Sequence, residues 1–184
     1  WGKRSAIIKR ANDWMEVMGH EPYRFIKEAS SSEWKSLSKL IYRTLSAEDI
    51  IEIGSCLRQA YIENDSLEEW FRVGFEKGGS LQGISYFREQ FFKNSTLSRT
   101  QKHVGNPQKN AASKRVNMFL RWMVRPAAGG VDLGLWSHLP KSKLSLPLDV
   151  HTGRVARSLG LLSRTTSDAR AVEELDRALR TLDP

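Results

Sequence analysis

Apolar side chains recur at helical spacing along most of the chain. The first run consists of Ile7, Ile8, Ala11, Trp14, Met15 and Met18, and Gly19 follows it as a helix stop. Further helices are predicted from Pro22, over 111–125, at about 149–160 and at about 167–182. The only candidate strand, SKLSL at 142–146, is short. The pattern therefore predicts an all-α fold.

Capping residues indicate where helices begin, and segments rich in polar residues, Gly or Pro indicate where the chain is irregular. Ser46 with Asp49, and Ser66 with Glu69, each match the capping-box signature ahead of an apolar run. Residues 94–110 are polar and basic and contain Gly105 and a proline, which predicts a loop or hairpin. Residues 126–148 are rich in Gly and Pro and are expected to be mostly irregular.

Composition and charge narrow the class of protein. The 184 residues suit one domain or two small lobes, and 29 Lys and Arg against 21 Asp and Glu give a net charge of +8. From Arg88 to Arg125 the only acid is Glu89, so one region is suited to a polyanion, either nucleic acid or an acidic surface. No apolar run is long enough to span a bilayer. The single cysteine, Cys56, excludes an internal disulfide and predicts a small buried side chain.

The predicted helix at 111–125 has two chemically different faces. Val116, Phe119, Leu120 and Met123 form an apolar stripe, whereas Lys114, Asn117 or Met118, Arg121 and Arg125 form a cationic one. The preceding segment, HVGNPQKN, reads as a hairpin whose backbone N–H groups can turn outward. A basic hairpin ahead of a helix can bind phosphate, and a solvated basic face on a structural helix is the alternative.

Asp149 stands at the predicted start of a helix. A carboxylate there is stabilised by unpaired N–H groups and the helix dipole, so a capping role accounts for it without any chemistry. Gly153 and Ala156 follow on nearly the same face and are expected to leave the surface beside Asp149 bare for a close approach. His151 suits local hydrogen bonds better than a metal, because no second His or acid stands at ligand spacing.

Two motifs resemble the core of the helix-hairpin-helix DNA glycosylase superfamily, whose best-known member is endonuclease III. KRVNMFL, from Lys114 to Leu120, is similar to the pattern K-T-A-N-V-V-L, which begins with the catalytic lysine. LDVHTGR, from Leu148 to Arg154, is similar to V-D-T-H-x-x-R, which carries the catalytic aspartate. Nearly the whole chain also resembles a bacterial family of unknown function within this superfamily.

The sequence departs from the superfamily at three points. The hairpin HVGNPQ keeps one glycine of the usual two, and the iron–sulfur cysteines of endonuclease III are missing. The segment 126–148 lengthens the connection between the two motifs, and it resembles the longer insertion of the archaeal 8-oxoguanine glycosylases.

The resemblance implies a single domain over 1–184, trimmed at both ends, with two helical lobes. Within it, a hairpin-helix element at 103–125 is followed by an insertion loop at 126–148 that leads to the catalytic aspartate. Lys114 would be the Schiff-base nucleophile and Asp149 the catalytic carboxylate, with no metal or other cofactor. The implied DNA contacts are Gly105, Asn106, Lys109, Arg115, Arg121, His151 and Arg154. The implied base-pocket wall is Phe119, Trp122 and Trp136, each of which is also a candidate core residue.

Three functions are compatible with these features. The first is a monomeric repair enzyme of the bacterial cytoplasm and nucleoid that excises a modified base, such as an oxidised purine, from damaged duplex DNA. Because base excision develops positive charge on the sugar, a carboxylate aimed at the anomeric carbon would stabilise it. The second is a non-catalytic DNA- or RNA-binding protein on the same fold. The third is an interaction protein whose basic face meets an acidic protein.

Overall fold

The computed structural model describes residues 2–183 and is mostly helical. The α-helices are α1 (Arg4–Val17), α2 (Pro22–Glu28), α3 (Ser31–Ser38), α4 (Ala47–Glu63), α5 (Glu68–Gly78), α6 (Ser80–Phe91), α7 (Lys114–Val124), α8 (Val150–Ser158) and α9 (Ala169–Arg180). Short 3₁₀ turns lie at Ser98–His103, Pro107–Lys109, Ala127–Gly129 and Lys141–Lys143. Over these residues extended pairing is limited to one isolated bridge between Tyr42 and Leu45. The all-α prediction is confirmed.

The chain forms two compact units. The first consists of the residues up to Ser66 together with Phe91–His103. Its core is formed by Phe25, Ala29, Leu37 and Ile50, against which Trp14 and Trp34 pack. Cys56 is buried, as predicted, and burial raises the pKa of its thiol to about 11.

Asp49 fastens two segments of the first unit to each other. The predicted capping box is confirmed, since Ser46 Oγ accepts from the Asp49 N–H while the Asp49 carboxylate accepts from the Ser46 N–H. The same carboxylate, which is fully buried, accepts from Thr100 Oγ1 at 2.8 Å and lies 3.1 Å from His103 Nε2. Burial favours a raised pKa for Asp49, but these hydrogen bonds outweigh it and hold the pKa well below its usual range.

Replacement of Asp49 by Asn is expected to lower the free energy of unfolding at neutral pH by about 2 kcal/mol or more, because buried donors lose a charged acceptor. Since the folded-state pKa is depressed, this stabilisation is present above about pH 4 and is lost as the pH falls below it. Urea unfolding of wild type and Asp49→Asn at neutral and acid pH measures the difference, which should shrink in acid. The exposed neighbour Glu48 serves as control, and an Asp49→Asn effect no larger than that of Glu48→Gln would contradict the prediction.

The second unit consists of Leu67–Gln90 and the residues from Val104 onward. One part of its core joins α8 and α9 through Leu148, Ala156, Val172 and Leu175. Another part is aromatic, with Phe71 stacked on Phe87 at a centroid distance of 4.3 Å. These packed side chains fix the elements that carry the two motifs.

Several helix starts differ from the predictions made from sequence. α5 begins at Glu68 with Leu67 in the N-cap position, one residue later than the Ser66–Glu69 signature places the helix start. α7 begins at Lys114, three residues later than predicted, because the backbone turns at Asn110 and Ser113, which both have positive φ. Within residues 2–183 no helix is long and apolar enough to cross a membrane.

Candidate functional site

Asp149 is the N-cap residue of α8. One of its carboxylate oxygens, Oδ1, accepts a hydrogen bond from the Thr152 N–H at 2.8 Å. The residues before it, Pro147 and Leu148, are buried, and Leu148 packs in the core of the second unit. The predicted capping role of Asp149 is therefore confirmed, and its buried neighbours hold its backbone in place.

The second carboxylate oxygen of Asp149 contacts Lys114. Lys114 Nζ donates to Asp149 Oδ2 at 2.8 Å, and the two side chains retain 46% and 28% of their exposure. The hydrogen bond from Lys114, followed by that from the Thr152 N–H, holds the pKa of the Asp149 carboxyl well below its usual range. An ionised carboxylate and a lysine thus meet at a solvent-accessible point where two helices begin.

Buried polar contacts fix the start of α7, and with it Lys114. Asn117 is almost fully buried, and its amide group donates to the Ala112 carbonyl at 3.1 Å. Its Oδ1 accepts from Ser80 Oγ at 2.8 Å, which connects α7 to α6. This buried position differs from the exposed cationic stripe on which Asn117 was one of two candidates.

The segment before α7 forms a tight 3₁₀ turn whose N–H groups are largely used within it. The N–H of Gln108 donates to Asn106 Oδ1, those of Lys109 and Ala111 to the Asn106 carbonyl, and that of Asn110 to the Pro107 carbonyl. The expectation that the backbone N–H groups here turn outward is therefore wrong for these four residues. The Lys109 side chain, in contrast, is exposed.

Asn110 is a residue of this turn that sequence reasoning missed. It has a left-handed backbone with φ of 64°, and its carbonyl accepts from the Ala169 N–H at 3.1 Å. Its side chain donates to Asp168 Oδ2 at 3.1 Å, at the N-cap of α9. The available signal was the residue type, because Asn is enriched in left-handed backbone among non-glycine residues. Gly105 is needed for a different reason, since a Cβ there would lie only 2.6 Å from Ser113 Oγ.

The N-terminus of α7 is positively charged. The helix has no side-chain cap and no acidic residue in its first turn, and it opens with Lys114 and Arg115. Unpaired N–H groups and the helix dipole add partial positive charge at the same end. Asp149 offsets the charge of Lys114, and the partial positive charge of the helix end still favours a further anion.

The remaining residues predicted to contact DNA differ in solvent exposure. Arg115, His151 and Arg154 are exposed, whereas Gly105 and Asn106 are partly buried in the turn. Arg121 is partly buried as well, and its Nε lies 3.3 Å from Oδ1 of the buried Asp132. Its predicted place on a wet cationic stripe is therefore wrong, because Asp132 neutralises it.

Of the three candidates for a base-pocket wall, two pack against each other. Phe119 and Trp136 meet edge to face at a centroid distance of 5.3 Å, and Trp136 is buried and also approaches Phe71. Trp122 lies apart from this packing and is 41% exposed. The structure thus gives Phe119 and Trp136 the core role that was the alternative.

The surface beside Asp149 is not bare along α8. Gly153 and Ala156 are both buried, and Ala156 belongs to the core that α8 shares with α9. The expectation that these small residues leave this surface bare is wrong, because Ala156 packs in the core and the Arg157 side chain lies against Gly153.

No group of three or more His, Cys, Asp or Glu residues within 2–183 is arranged to hold a metal ion. The site brings together an amine, a carboxylate and a positively charged helix end.

Comparison with known proteins identifies a family. The model of a family described as a protein of unknown function, DUF2400, matches residues 1–184, and the chain belongs to this family. No curated protein and no solved structure matches the chain.

Proposed function

We propose that this chain, as a member of a family of unknown function, acts on DNA as a glycosylase with abasic-site lyase activity. The observation that carries the proposal is the contact between Lys114 Nζ and Asp149 Oδ2 at 2.8 Å, at the accessible starts of α7 and α8. The resemblance of both motifs to the helix-hairpin-helix glycosylases gives this pair its roles. The modified base, such as an oxidised purine, would come from duplex DNA.

The ionised Asp149 faces the sugar as the bond to the base breaks and positive charge develops at the anomeric carbon. Hydrogen bonds from Lys114 and the Thr152 N–H keep the pKa of this carboxyl low, so it remains charged at neutral pH. As the base leaves with the bonding electron pair, it takes up a proton from the Lys114 ammonium, and the resulting amine bonds to the anomeric carbon. The sugar ring then opens as its C–O bond breaks and a second proton passes from this nitrogen to the ring oxygen, which leaves an imine between Lys114 and the sugar. Only the neutral amine of lysine is a nucleophile. The sugar must therefore first come between Lys114 and Asp149 and break their ion pair.

The positively charged start of α7 provides a phosphate-binding position next to this chemistry. The uncapped first turn and Arg115 attract an anion, and the DNA backbone supplies one beside every sugar. Lys109 lies in the turn that precedes α7 and adds an exposed cation. The overall charge of +8 favours the same partner.

Borohydride trapping on an abasic-site duplex tests the proposal without knowledge of the base. An imine between lysine and the opened sugar is reduced by borohydride to a stable amine, which joins protein and DNA covalently. We expect a covalent adduct with the abasic duplex and, in a panel of duplexes that each carry one modified base, with those that contain the substrate. DNA binding without any adduct would contradict the catalytic proposal.

A second candidate is non-catalytic nucleic-acid binding, in which Lys114 contacts a phosphate. The ion pair with Asp149 favours it, because a lysine that pairs with a carboxylate can pair with a phosphate oxygen in the same way. On this alternative, binding would weaken steeply with salt but no adduct would form on any duplex.

Replacement of Lys109 by Gln is expected to weaken binding to all duplexes alike and to make the slope of log affinity against log salt shallower by about one. The physical reason is that one exposed cation fewer releases one counterion fewer from the DNA. Fluorescence anisotropy at several salt concentrations measures the slope, with the exposed Lys39 of the first unit replaced by Gln as control. Equal slopes for Lys109→Gln and wild type would remove Lys109 from the DNA-binding surface.

A further inference from the structure

An exposed apolar surface lies at the far end of α7 from Lys114. Val131, Leu133 and Leu135 are 62%, 54% and 68% exposed, and Trp122 of α7 is 41% exposed. The N–H of Leu133 donates to the Trp122 carbonyl at 2.6 Å, so the loop and this part of the helix are neighbours. We call Trp122 and Val131–Leu135 the apolar loop surface.

The loop is held in a fixed orientation with its apolar side chains outward. Asp132 and Trp136 point inward and are buried, and they alternate with the three exposed side chains. The Asp132 carboxylate lies within 3.5 Å of the guanidinium groups of Arg121 on α7 and of Arg125, the C-cap residue of that helix. The N–H of Trp136 donates to the Met123 carbonyl at 2.8 Å, which fastens the end of the loop. Burial of Val131, Leu133 or Leu135 would therefore require these contacts to break.

Left-handed backbone within the loop contributes to this orientation. Gly134 has φ of +61°, and a Cβ there would lie within 3.4 Å of backbone atoms of Arg125, Pro126 and Ala127. Gly134 allows the chain to turn between Leu133 and Leu135 while it stays close to the end of α7.

The sequence segment that carries the apolar loop surface is basic. Between Ala111 and Leu148 the only acid is Asp132, whose charge is offset by arginines. The Lys and Arg residues of this segment are Lys114, Arg115, Arg121, Arg125, Lys141 and Lys143. A polyanion that also exposes flat apolar surfaces complements such a combination, and a nucleic acid with unstacked bases has both properties.

The distance between the apolar loop surface and Lys114 also suits a nucleic acid as the partner. Trp122 lies eight positions after Lys114 on α7. The helix rises ~12 Å over this distance, which is comparable to a few base steps of DNA. DNA that reaches the start of α7 with its phosphates can therefore extend along the helix to the loop. This step rests on the function proposed above.

We propose that the apolar loop surface binds bases that have left the stack, so the protein prefers DNA with unpaired bases to fully paired duplex. Trp122 supplies an aromatic face for stacking, and the Val131, Leu133 and Leu135 side chains cover exposed base surface. In fully paired DNA the base faces are stacked, so they are not available to Trp122 or to the three aliphatic side chains. The phosphate contacts at the start of α7 are common to both DNAs and do not discriminate between them.

The test compares two DNAs of the same sequence without any lesion, one fully paired and one with a few unpaired nucleotides on one strand. Fluorescence anisotropy measures the affinity of wild type, of Leu133→Ser/Leu135→Ser, of Trp122→Ala and of the control Ile62→Ser. Ile62 of α4 is 66% exposed, which matches the loop residues. Thermal unfolding establishes that each variant is folded.

Wild type and Ile62→Ser should bind the DNA with unpaired bases about tenfold more tightly than paired DNA, on the order expected for one stacked base. The double serine variant and Trp122→Ala should lose this preference while their affinity for paired DNA stays unchanged. An undiminished preference in both folded variants overturns the inference. The covalent adduct of wild type with an abasic duplex is read separately, so its presence would leave the proposed function intact.

Two other occupants are distinguished by the same variants. If the surface joined copies of the chain, the serine substitutions would lower the mass in light scattering and leave the DNA preference unchanged. If it entered a lipid surface, they would reduce binding to vesicles with anionic headgroups and again leave the preference unchanged. Either result overturns the inference.

Discussion

Replacement of Lys114 by Gln is expected to abolish the borohydride-trapped adduct with an abasic-site duplex. A Schiff base requires a primary amine, and Gln has none, so the effect is a complete loss and not a partial one. Folding should be preserved, because Lys114 is 46% exposed and its pairing with Asp149 is a surface interaction worth less than about 1 kcal/mol. DNA affinity should fall only slightly, since one cation among many is removed.

The matched variants for this experiment are Lys114→Arg and Lys109→Gln. Lys114→Arg keeps the positive charge beside Asp149 but is unable to form the adduct, whereas Lys109→Gln loses a charge nearby and should form it normally. Denaturing gel electrophoresis after reduction measures the adduct in all three variants. Adduct formation by Lys114→Gln at the wild-type level would assign the chemistry to another amine.

Replacement of Asp149 by Asn is expected to slow release of the modified base by roughly 10²–10³-fold, the usual cost of removing one electrostatic contact to a transition state. Asn caps helices about as well as Asp, so the hydrogen bond from the Thr152 N–H and the fold should survive. The variant has lost only the negative charge. Its DNA affinity should hold or rise, because a carboxylate that faces phosphates is gone.

Asp168 offers a matched control for the capping role. It is the N-cap residue of α9, and its side chain accepts from the Ala171 N–H as that of Asp149 accepts from Thr152. Single-turnover base release should be normal in Asp168→Asn and slow in Asp149→Asn. Normal release in both variants would show that Asp149 only caps its helix.

Local signals were sufficient to predict several features of the fold. Helical periodicity predicted α7 and α8 to within a few residues at each end, and the Ser46–Asp49 capping box is confirmed. These features depend on residues within one or two turns of each other. The Ser66–Glu69 signature has the same spacing, yet α5 begins one residue later than it predicts, so spacing alone does not fix the first residue of a helix.

The features that sequence did not predict depend on distant residues. The Lys114–Asp149 contact could be expected only from the likeness of two motifs to a known superfamily, because 35 positions separate the residues. Asp132 neutralises Arg121 across a loop, and Gly153 and Ala156 are buried by packing within the second unit. A pattern of charges along a helix gives no indication of such partners.

Hydrogen bonds between Asn110 and the start of α9 couple two segments that are far apart in the chain. Asn110 accepts from the Ala169 N–H and donates to Asp168, so the turn before α7 is fastened by the helix that follows α8. Local opening of that turn therefore requires that the first turn of α9 undock as well, and the two segments share one opening free energy. Amide exchange in the turn is therefore expected to be no faster than that in the first turn of α9.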